Sequence, residues 1–400
     1  MIRQLLRPVV ALLGGALLLS GCAGADAAAD KPPAHRVFSQ KLNAQPIRAL
    51  EVSKAAGTVS FRQVVTFGSS QGAVRLTSNG QLDFPRQRAS FVRTWGFDGR
   101  YPVSQRESFA GDALGADHAA ASQAVVMDRQ LVHVRPVVAG YWLKYDRATI
   151  VQDGGQSIMD LRGKTAPYGE TLLESVPGIE SVTSKPTPGG GRAYTTRLDG
   201  QLLHRVVPHL TLALADLLDE QSLGARAAFT LVVDRTGRIV RVDADLTPLL
   251  THKPGALSKV HSVRVALELS QYGAAYTPRP GLKGRILDAG QVVKGLHEVK
   301  PGSCVASDTG QGYWTQLVVV PCGWPHQGRI YAQREWSGTY PGEKELDRES
   351  IQACDDAYAR VPSGWTAGSR EPGKFWTHWP SEHAWRTDKR RKTTCYVLTR

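Results

Sequence analysis

Hydrophobic and polar residues alternate along residues 58–97, and this alternation is the clearest signal in the chain. Val59, Phe61, Val65 and Phe67 alternate with polar residues such as Arg62, and the same period of two continues through residues 74–84 and 91–97. Successive side chains of a strand point to opposite faces of a sheet. The pattern therefore predicts antiparallel strands that bury one face.

The alternation returns in the second half of the chain. Residues 229–233 and 239–242 flank Asp234-Arg235-Thr236-Gly237, a sequence typical of a hairpin turn, and residues 263–269 predict a further strand. Apolar residues at helical spacing predict helices around residues 39–56, 170–176 and 206–218. Strands thus outnumber helices, and the chain is expected to have an α+β fold.

Composition changes sharply after a segment rich in Pro, Gly and Lys at residues 278–302. Most of the tryptophans and all but one of the cysteines follow it. This change predicts two domains, at 37–282 and 301–400, joined by a linker at 283–300. Within the second domain we expect short strands at 313–320, 329–333 and 393–398. A helix there is expected to present Ile351, Cys354, Tyr358 and Val361 on one face.

The first residues have the features of a secretory leader. Arg3 and Arg7 precede an apolar run at residues 9–19, which is short for a membrane span, and Leu19-Ser20-Gly21-Cys22 follows it. This order resembles the lipobox of bacterial lipoproteins, which implies cleavage after residue 21 and a diacylglyceryl group on Cys22. Residues 22–36 then form a tether. The expected location is the extracytoplasmic side of the cell membrane; the alternative is an uncleaved membrane anchor.

Basic residues exceed acidic ones, and the formal net charge of +13 falls to +11 once the leader's two arginines are removed. Such a charge predicts anionic partners, namely phospholipid headgroups, phosphorylated glycolipids or wall polymers, whereas nucleic acid is not expected for an exported protein. One basic cluster is either a solvated loop or a contact for anionic lipid or wall polymer. It comprises Arg386, Lys389, Arg390, Arg391 and Lys392.

The cysteines that follow Cys22 are Cys304, Cys322, Cys354 and Cys395. An even number in an oxidising compartment predicts two disulfides, with three possible pairings. A zinc site is the alternative, but zinc ligands usually come in close C-x-x-C pairs, and this sequence has none. We therefore expect no metal.

The first half of the chain resembles the LppX/LprG group of envelope lipoproteins, which share a half-barrel with the LolA lipoprotein carriers. The resemblance rests on the strand pair at 58–84, on Arg135-Pro136 with Trp142 and Tyr145, on the hairpin at 231–239, and on the last strand with Tyr272-Gly273. It implies a strongly curved antiparallel sheet with helices across its hollow face.

The same resemblance implies an apolar cavity that carries lipid or glycolipid through the envelope. The alternative is that the same side chains form a filled core. The candidate cavity residues are Val59, Phe61, Val65, Phe67, Val74, Leu76, Leu82, Phe84, Phe91, Trp95, Val263, Val265 and Leu267.

The last hundred residues resemble the septum-formation domain family, a small extracytoplasmic module. The matching segments are Gly302-Ser303-Cys304-Val305, the run from Val320 to His326, and Tyr340-Pro341-Gly342, while a glycine that the family usually has near Thr387 is missing. The resemblance implies Cys304–Cys322 and Cys354–Cys395 disulfides. It also implies a partner in cell division or the cell wall.

The sequence gives little evidence for a catalytic site. Gly68-Ser69-Ser70-Gln71-Gly72 matches the G-x-S-x-G motif of serine hydrolases, but strand patterns on both sides predict a hairpin loop in place of the required strand-turn-helix. No enzyme activity and no cofactor are expected. The favoured interpretation is a lipoprotein that binds lipid or glycolipid in envelope transport or assembly. A non-lipid-binding adaptor in wall or division machinery is the alternative.

Overall fold

A computed structural model describes most of the chain after the tether. The described residues are 35–99, 101, 106, 108–109, 122–135, 140–146, 161–203, 206–207, 214, 217–218, 225–250, 257–279, 281–307, 316–366, 369, 373–386 and 391–399. Residues 33–400 cluster as one compact unit. The leader and Cys22 lie outside the described residues.

Among the described residues, twelve strands form one large curved sheet. They are β1 (Thr58–Ser69), β2 (Gly72–Asp83), β3 (Arg88–Phe97), β4 (Ser122–Met127), β5 (Leu131–Arg135), β6 (Tyr141–Asp146), β7 (Thr183–Pro186), β8 (Arg192–Asp199), β9 (Arg226–Val233), β10 (Ile239–Asp245), β11 (Val260–Ser270) and β12 (Arg285–Asp288). Their spatial order is β12-β6-β5-β4-β3-β2-β1-β11-β10-β9-β8-β7. The sheet is antiparallel except where β12 runs parallel to β6 at one edge.

The strand predictions from alternation agree with this sheet. Each described hairpin joins neighbouring strands, and β11 closes against β1, so the first and last long strands lie side by side. The turn at Asp234 has the expected form, because the Asp234 carboxylate accepts from the backbone N–H of Thr236 and of Arg238. Ser70, the serine of the Gly68–Gly72 motif, likewise lies in the hairpin turn between β1 and β2, where the Ser69 hydroxyl at the end of β1 donates to the carbonyl of Gly72.

The helices over the large sheet are short. Helix α1 (His35–Phe38) and a 3₁₀ turn (Leu42–Ala44) precede α2 (Gln45–Ala55), where the sequence predicts one helix over 39–56. The predicted helix at 170–176 is a 3₁₀ segment (Leu172–Gly178) that contains Pro177. Much of the helix predicted at 206–218 lies outside the described residues. Further 3₁₀ turns are Gly200–Leu202 and Thr247–Leu249.

The C-terminal region contains a six-stranded sheet within the described residues, in the order β13-β15-β14-β16-β18-β17. Its strands are β13 (Val293–Gly295), β14 (Cys304–Ser307), β15 (Gln316–Val320), β16 (Gly328–Glu335), β17 (Trp376–His378) and β18 (Lys392–Leu398). The helical elements there are α3 (Ala289–Val292), a 3₁₀ turn (Leu296–Glu298), α4 (Glu343–Tyr358), α5 (Ser363–Thr366) and α6 (Glu382–Arg386).

Helix α4 is present, but two positions of its predicted core face are wrong, because the helix ends at Tyr358, before Val361, and because Ile351 is exposed. Ile351 is 46% exposed, whereas Leu346, Ser350 and Cys354 are buried. These three residues are four apart and so lie along one stripe of the helix. The buried Ser350 hydroxyl is 2.7 Å from the hydroxyl of Thr393 on β18, which explains why a polar residue occupies the core stripe.

Two disulfides join the C-terminal elements in the pairing that the family resemblance implies. Cys304 on β14 bonds to Cys322, and Cys354 on α4 bonds to Cys395 on β18. Cys354 and Cys395 are buried, so the second disulfide attaches helix α4 to the sheet from within the core.

The predicted linker at 283–300 contains regular structure in place of an open connection. Its β12 extends the large sheet, and its β13 begins the C-terminal sheet. The core of the large sheet continues into the C-terminal region through Val318 and Val320. Strands of three and four residues are too short to produce a recognisable alternation, so the sequence pattern could not reveal them.

No helix within the described part of the chain is long and apolar enough to cross a membrane.

Candidate functional site

The buried face of the large sheet holds every candidate cavity residue predicted from the sequence. None of those thirteen side chains is more than 3% exposed. Adjacent strands align them in rows. One row runs through Leu269, Phe61, Gly80, Phe91, Val125, Val134 and Leu143, on seven neighbouring strands. The face is therefore broad and largely apolar.

Aromatic rings pack closely on this surface. The Phe61 and Phe91 ring centroids are 6.0 Å apart, with edges meeting faces, and Phe91 stacks on Tyr168 at 4.2 Å. A second group joins Phe67, Trp95 and Phe109 at centroid distances of 5.2–6.1 Å. These distances are those of favourable aromatic pairs.

Gly80 lies between Phe61 and Phe91 in the row and makes their contact possible. A Cβ atom built on Gly80 would come within 1.9 Å of the Ser90 carbonyl oxygen and 2.6 Å of the Phe91 Cα. Only a glycine therefore fits this point of close strand approach without displacing backbone.

Residues 161–178, which we call the covering segment, lie over the middle of the buried face. Glu174 orders the segment internally, because its carboxylate accepts from the backbone N–H groups of Lys164, Thr165 and Ala166 at 2.6–2.9 Å. The Ser175 hydroxyl donates to the carbonyl of Leu202. The segment is thus a defined structural unit even though its only regular element is a 3₁₀ stretch.

A polar row interrupts the apolar face beneath the covering segment. Gln63, Ser78, Arg93 and Gln123 are register partners on β1, β2, β3 and β4, and each is at most 7% exposed. The sequence interpretation missed this row because each strand contributes only one of its members, among apolar neighbours.

Arg93 is the centre of the row. Its guanidinium donates to Gln123 Oε1 at 3.2 Å, to the Tyr168 hydroxyl at 2.7 Å and to the Glu170 carboxylate. The Tyr168 hydroxyl also donates to Glu170 Oε2 at 2.7 Å. Gln63 completes the network, since its amide donates to the carbonyl of Glu170 at 2.7 Å and accepts from the N–H of Leu172.

Burial and the ion pair set the protonation of this network. Burial lowers the pKa of Arg93, but the charge of Glu170 and the hydroxyl of Tyr168 raise it, and the net direction is upward. Burial raises the pKa of Tyr168. The arginine thus stays charged and the tyrosine stays neutral at physiological pH, so the covering segment is attached to the sheet by a charged pair within an apolar core.

The residues of the predicted basic cluster have different surroundings. Arg386 forms an ion pair with Glu382 at 2.6 Å, and the Arg391 guanidinium lies 5.6 Å from the ring centroid of Trp385. Lys392 begins β18. Lys389 and Arg390 lie outside the described residues. Within the described part of the cluster, the side chains of Arg386 and Arg391 therefore contact other residues of the chain.

Within the described residues, no group of three or more His, Cys, Asp or Glu side chains is arranged to hold a metal ion. The cysteines predicted as disulfides or zinc ligands are engaged as disulfides.

No family model matches the sequence, and no curated protein matches it. Among solved structures, the chain is similar to the lipoprotein LppX of Mycobacterium tuberculosis at 10% identity, over 59% of this chain and 96% of that one, with a TM-score of 0.31. It is also similar to LprF from Mycobacterium bovis at 13% identity, over 63% of this chain and 99% of that one, with a TM-score of 0.28.

Proposed function

We propose that the chain is an extracytoplasmic lipoprotein, anchored through Cys22, that binds a lipid or glycolipid against the buried face of its large sheet. In this proposal the sheet is a half-barrel, and the protein acts in envelope lipid transport or assembly. The leader sequence supports the anchor, and the family resemblance of residues 37–280 supports the cargo class.

The observation that carries the proposal is the extent of the apolar face. Seven strands in one row at the usual strand spacing span about 29 Å. Single short helices and 3₁₀ segments lie over this face among the described residues. An acyl chain of sixteen carbons costs on the order of 12 kcal/mol to expose to water, so a carrier needs such a surface.

A second candidate function is an adaptor whose large sheet has a filled core. The contacts among Phe61, Phe91 and Tyr168 favour it, because these rings already occupy the middle of the face. The ion pair of Arg93 with Glu170 also favours it, since it fixes the covering segment in place. The proposed carrier must therefore admit lipid beside this central region or displace the covering segment.

We assign the C-terminal region the role of docking to the wall or to a division protein. This assignment rests on its resemblance to the septum-formation family and on its basic cluster. Arg386 and Arg391 are the members of that cluster for which contacts are described, and both lie near α6.

The test is native mass spectrometry with solvent extraction on the form that begins at Ala23, which retains the compact unit 33–400. Expression in a bacterium of its own kind supplies the natural lipids. A stoichiometric bound lipid would support the carrier and identify its cargo. A mass free of lipid, with no uptake of added phospholipid or glycolipid, would favour the adaptor.

Two matched variants locate the lipid. Phe91→Asp places a charge on the buried face and should abolish lipid copurification. Val126→Asp, on the outward face of β4, should leave it unchanged. Thermal unfolding establishes that each variant is folded. Retained lipid in folded Phe91→Asp would contradict the assignment of the cavity to this face.

A further inference from the structure

The outward face of the large sheet carries a groove that is separate from the buried face. Its volume is about 1100 Å³, and its floor is made by short polar side chains of β1, β2 and β3. Among them are Ser60, Thr77, Asn79 and Thr94. These side chains are short and therefore leave a depression on the sheet.

The segment that follows β11 forms one wall of this groove. Gln271 Oε1 accepts from the Ser60 hydroxyl at 2.8 Å, and the backbone N–H of Thr277 donates to Gln81 Oε1 at 2.8 Å. Gln271 has a φ of 53°, a left-handed conformation that is uncommon for a residue other than glycine. The wall is therefore fixed to the floor at both ends, at the cost of one strained residue.

Two cations in the groove lack a carboxylate partner. Arg62 and Arg279 line it, and neither makes an ion pair with any residue that the structure describes. Glu268 lines it as well, but this carboxylate is paired with Arg241 at 3.2 Å. The groove therefore has an uncompensated positive charge.

A second depression of about 520 Å³ continues from the first and shares Arg62 and Glu268 with it. It adds the arginines Arg75, Arg241 and Arg264 and the carboxylates Asp243 and Asp245, so that its lining, with Arg62 and Glu268 included, has one net positive charge. The groove thus continues along the outward face of the sheet beyond one small-molecule site, with a small excess of positive charge, as an elongated anionic ligand requires.

We infer that this groove binds an anionic glycan, a chain of sugars that carries carboxylate or phosphate groups. Hydroxyl and amide side chains both donate and accept hydrogen bonds, as sugar hydroxyls do. Arginine pairs with carboxylate and phosphate. A protein partner would require apolar or aromatic anchors, but the ring of the lining residue Phe61 is buried on the opposite face, which leaves Val92 and small alanines for that purpose.

Binding is measured with the full chain in detergent at physiological salt, against three probes. Polygalacturonate has sugars and carboxylates, dextran has sugars without charge, and polyphosphate has charge without sugars. Polygalacturonate should bind more tightly than either of the others. Equal binding of dextran would overturn the role of charge, and equal binding of polyphosphate would overturn the role of the sugar.

Variants place the interaction in the groove. The double substitution Arg62→Gln with Arg279→Gln should weaken polygalacturonate binding about tenfold or more, the equivalent of one charged hydrogen bond. Arg226→Gln, an exposed arginine on β9 outside the groove, is the matched control and should change binding little. Equal losses in both would indicate general attraction to a basic surface and would overturn the assignment.

Asn79→Ala adds a test of the sugar contact, because it should weaken polygalacturonate binding and leave any residual polyphosphate binding unchanged. Weaker binding of both polygalacturonate and polyphosphate, or of neither, would contradict the inference. The groove lies on the face opposite the proposed lipid site. Lipid copurification should therefore be the same in all these variants, and the two proposals can fail separately.

Discussion

The guanidinium of Arg93 and the carboxylate of Glu170 form an ion pair inside the core of the large sheet, with 2% and 9% of their side chains exposed. Arg93 belongs to β3 and Glu170 to the covering segment, so the pair joins the sheet to its cover. A charged pair in such a place contributes little net stability, but an unpaired member is costly. Its effect is therefore to fix the position of the covering segment.

The Arg93→Met variant tests this relationship. The substitution leaves the Glu170 carboxylate buried without its partner, and we expect the free energy of unfolding to fall by about 3–5 kcal/mol. The double variant Arg93→Met with Glu170→Leu removes both charges and should recover part of that loss. Urea unfolding followed by tryptophan fluorescence measures the stability of the double variant and of each single variant, Arg93→Met and Glu170→Leu. A double variant as unstable as the sum of its singles would show that the pair is not coupled.

Gly80→Ala tests the close approach of β2 to β3. The new methyl group would lie within 1.9 Å of the Ser90 carbonyl oxygen, so strands must separate, and we expect a loss of about 1–3 kcal/mol. Gly96→Ala is the matched control in the same sheet, because its Cβ would have the Arg75 carbonyl oxygen at 3.9 Å as its nearest neighbour. Similar thermal stability for the two variants would contradict the proposed crowding.

The strands of the large sheet could be predicted from sequence because one face is buried and the other is in water. Residues such as Phe61 and Arg62 then differ in polarity at every step. The same signal also placed the candidate cavity residues on one face. It could not decide whether that face is open or filled, because alternation records which side is buried and not what covers it.

Part of the polar row could have been predicted from the sequence. The two-residue turn at Ser70 and Gln71 fixes the register of β1 against β2, and this register already pairs Gln63 with Ser78. To place Arg93 in the same row, one must also know the register of β2 against β3. Glu170, which binds Arg93, belongs to a segment that is distant in sequence. Contacts of that separation depend on tertiary packing, which local patterns do not encode.

The two disulfides should contribute unequally. Their sequence separations are 18 and 41 residues, and loop-closure entropy predicts about 3 kcal/mol for the Cys304–Cys322 pair and about 4 kcal/mol for the Cys354–Cys395 pair. Replacing each pair with alanine and measuring urea unfolding tests the order. The Cys354 pair should also be the more damaging because both its residues are buried, whereas Cys322 is exposed. A larger loss on removal of Cys304–Cys322 would contradict this account.

Stability should fall as the pH falls below neutrality, and His378 on β17 is one cause. Burial lowers the pKa of His378, and the positive charge of nearby His297 lowers it further. Burial likewise lowers the pKa of His133 on β5. As the pH falls, these two histidines therefore become protonated in the unfolded chain before they do so in the folded chain. The stability that the protein has above about pH 6.5 is lost as the pH falls toward the pKa values of the folded state.

Thermal unfolding of the His378→Gln variant between about pH 7.5 and pH 5.5 isolates this contribution, because the substitution removes the titrating group and should flatten the pH dependence. His133 remains, so part of the slope should persist. His261→Gln, an exposed histidine on β11, is the control and should keep the slope of the parent chain. If His378→Gln loses stability on acidification as steeply as the parent does, the partly buried imidazole of His378 is not a cause of the pH dependence.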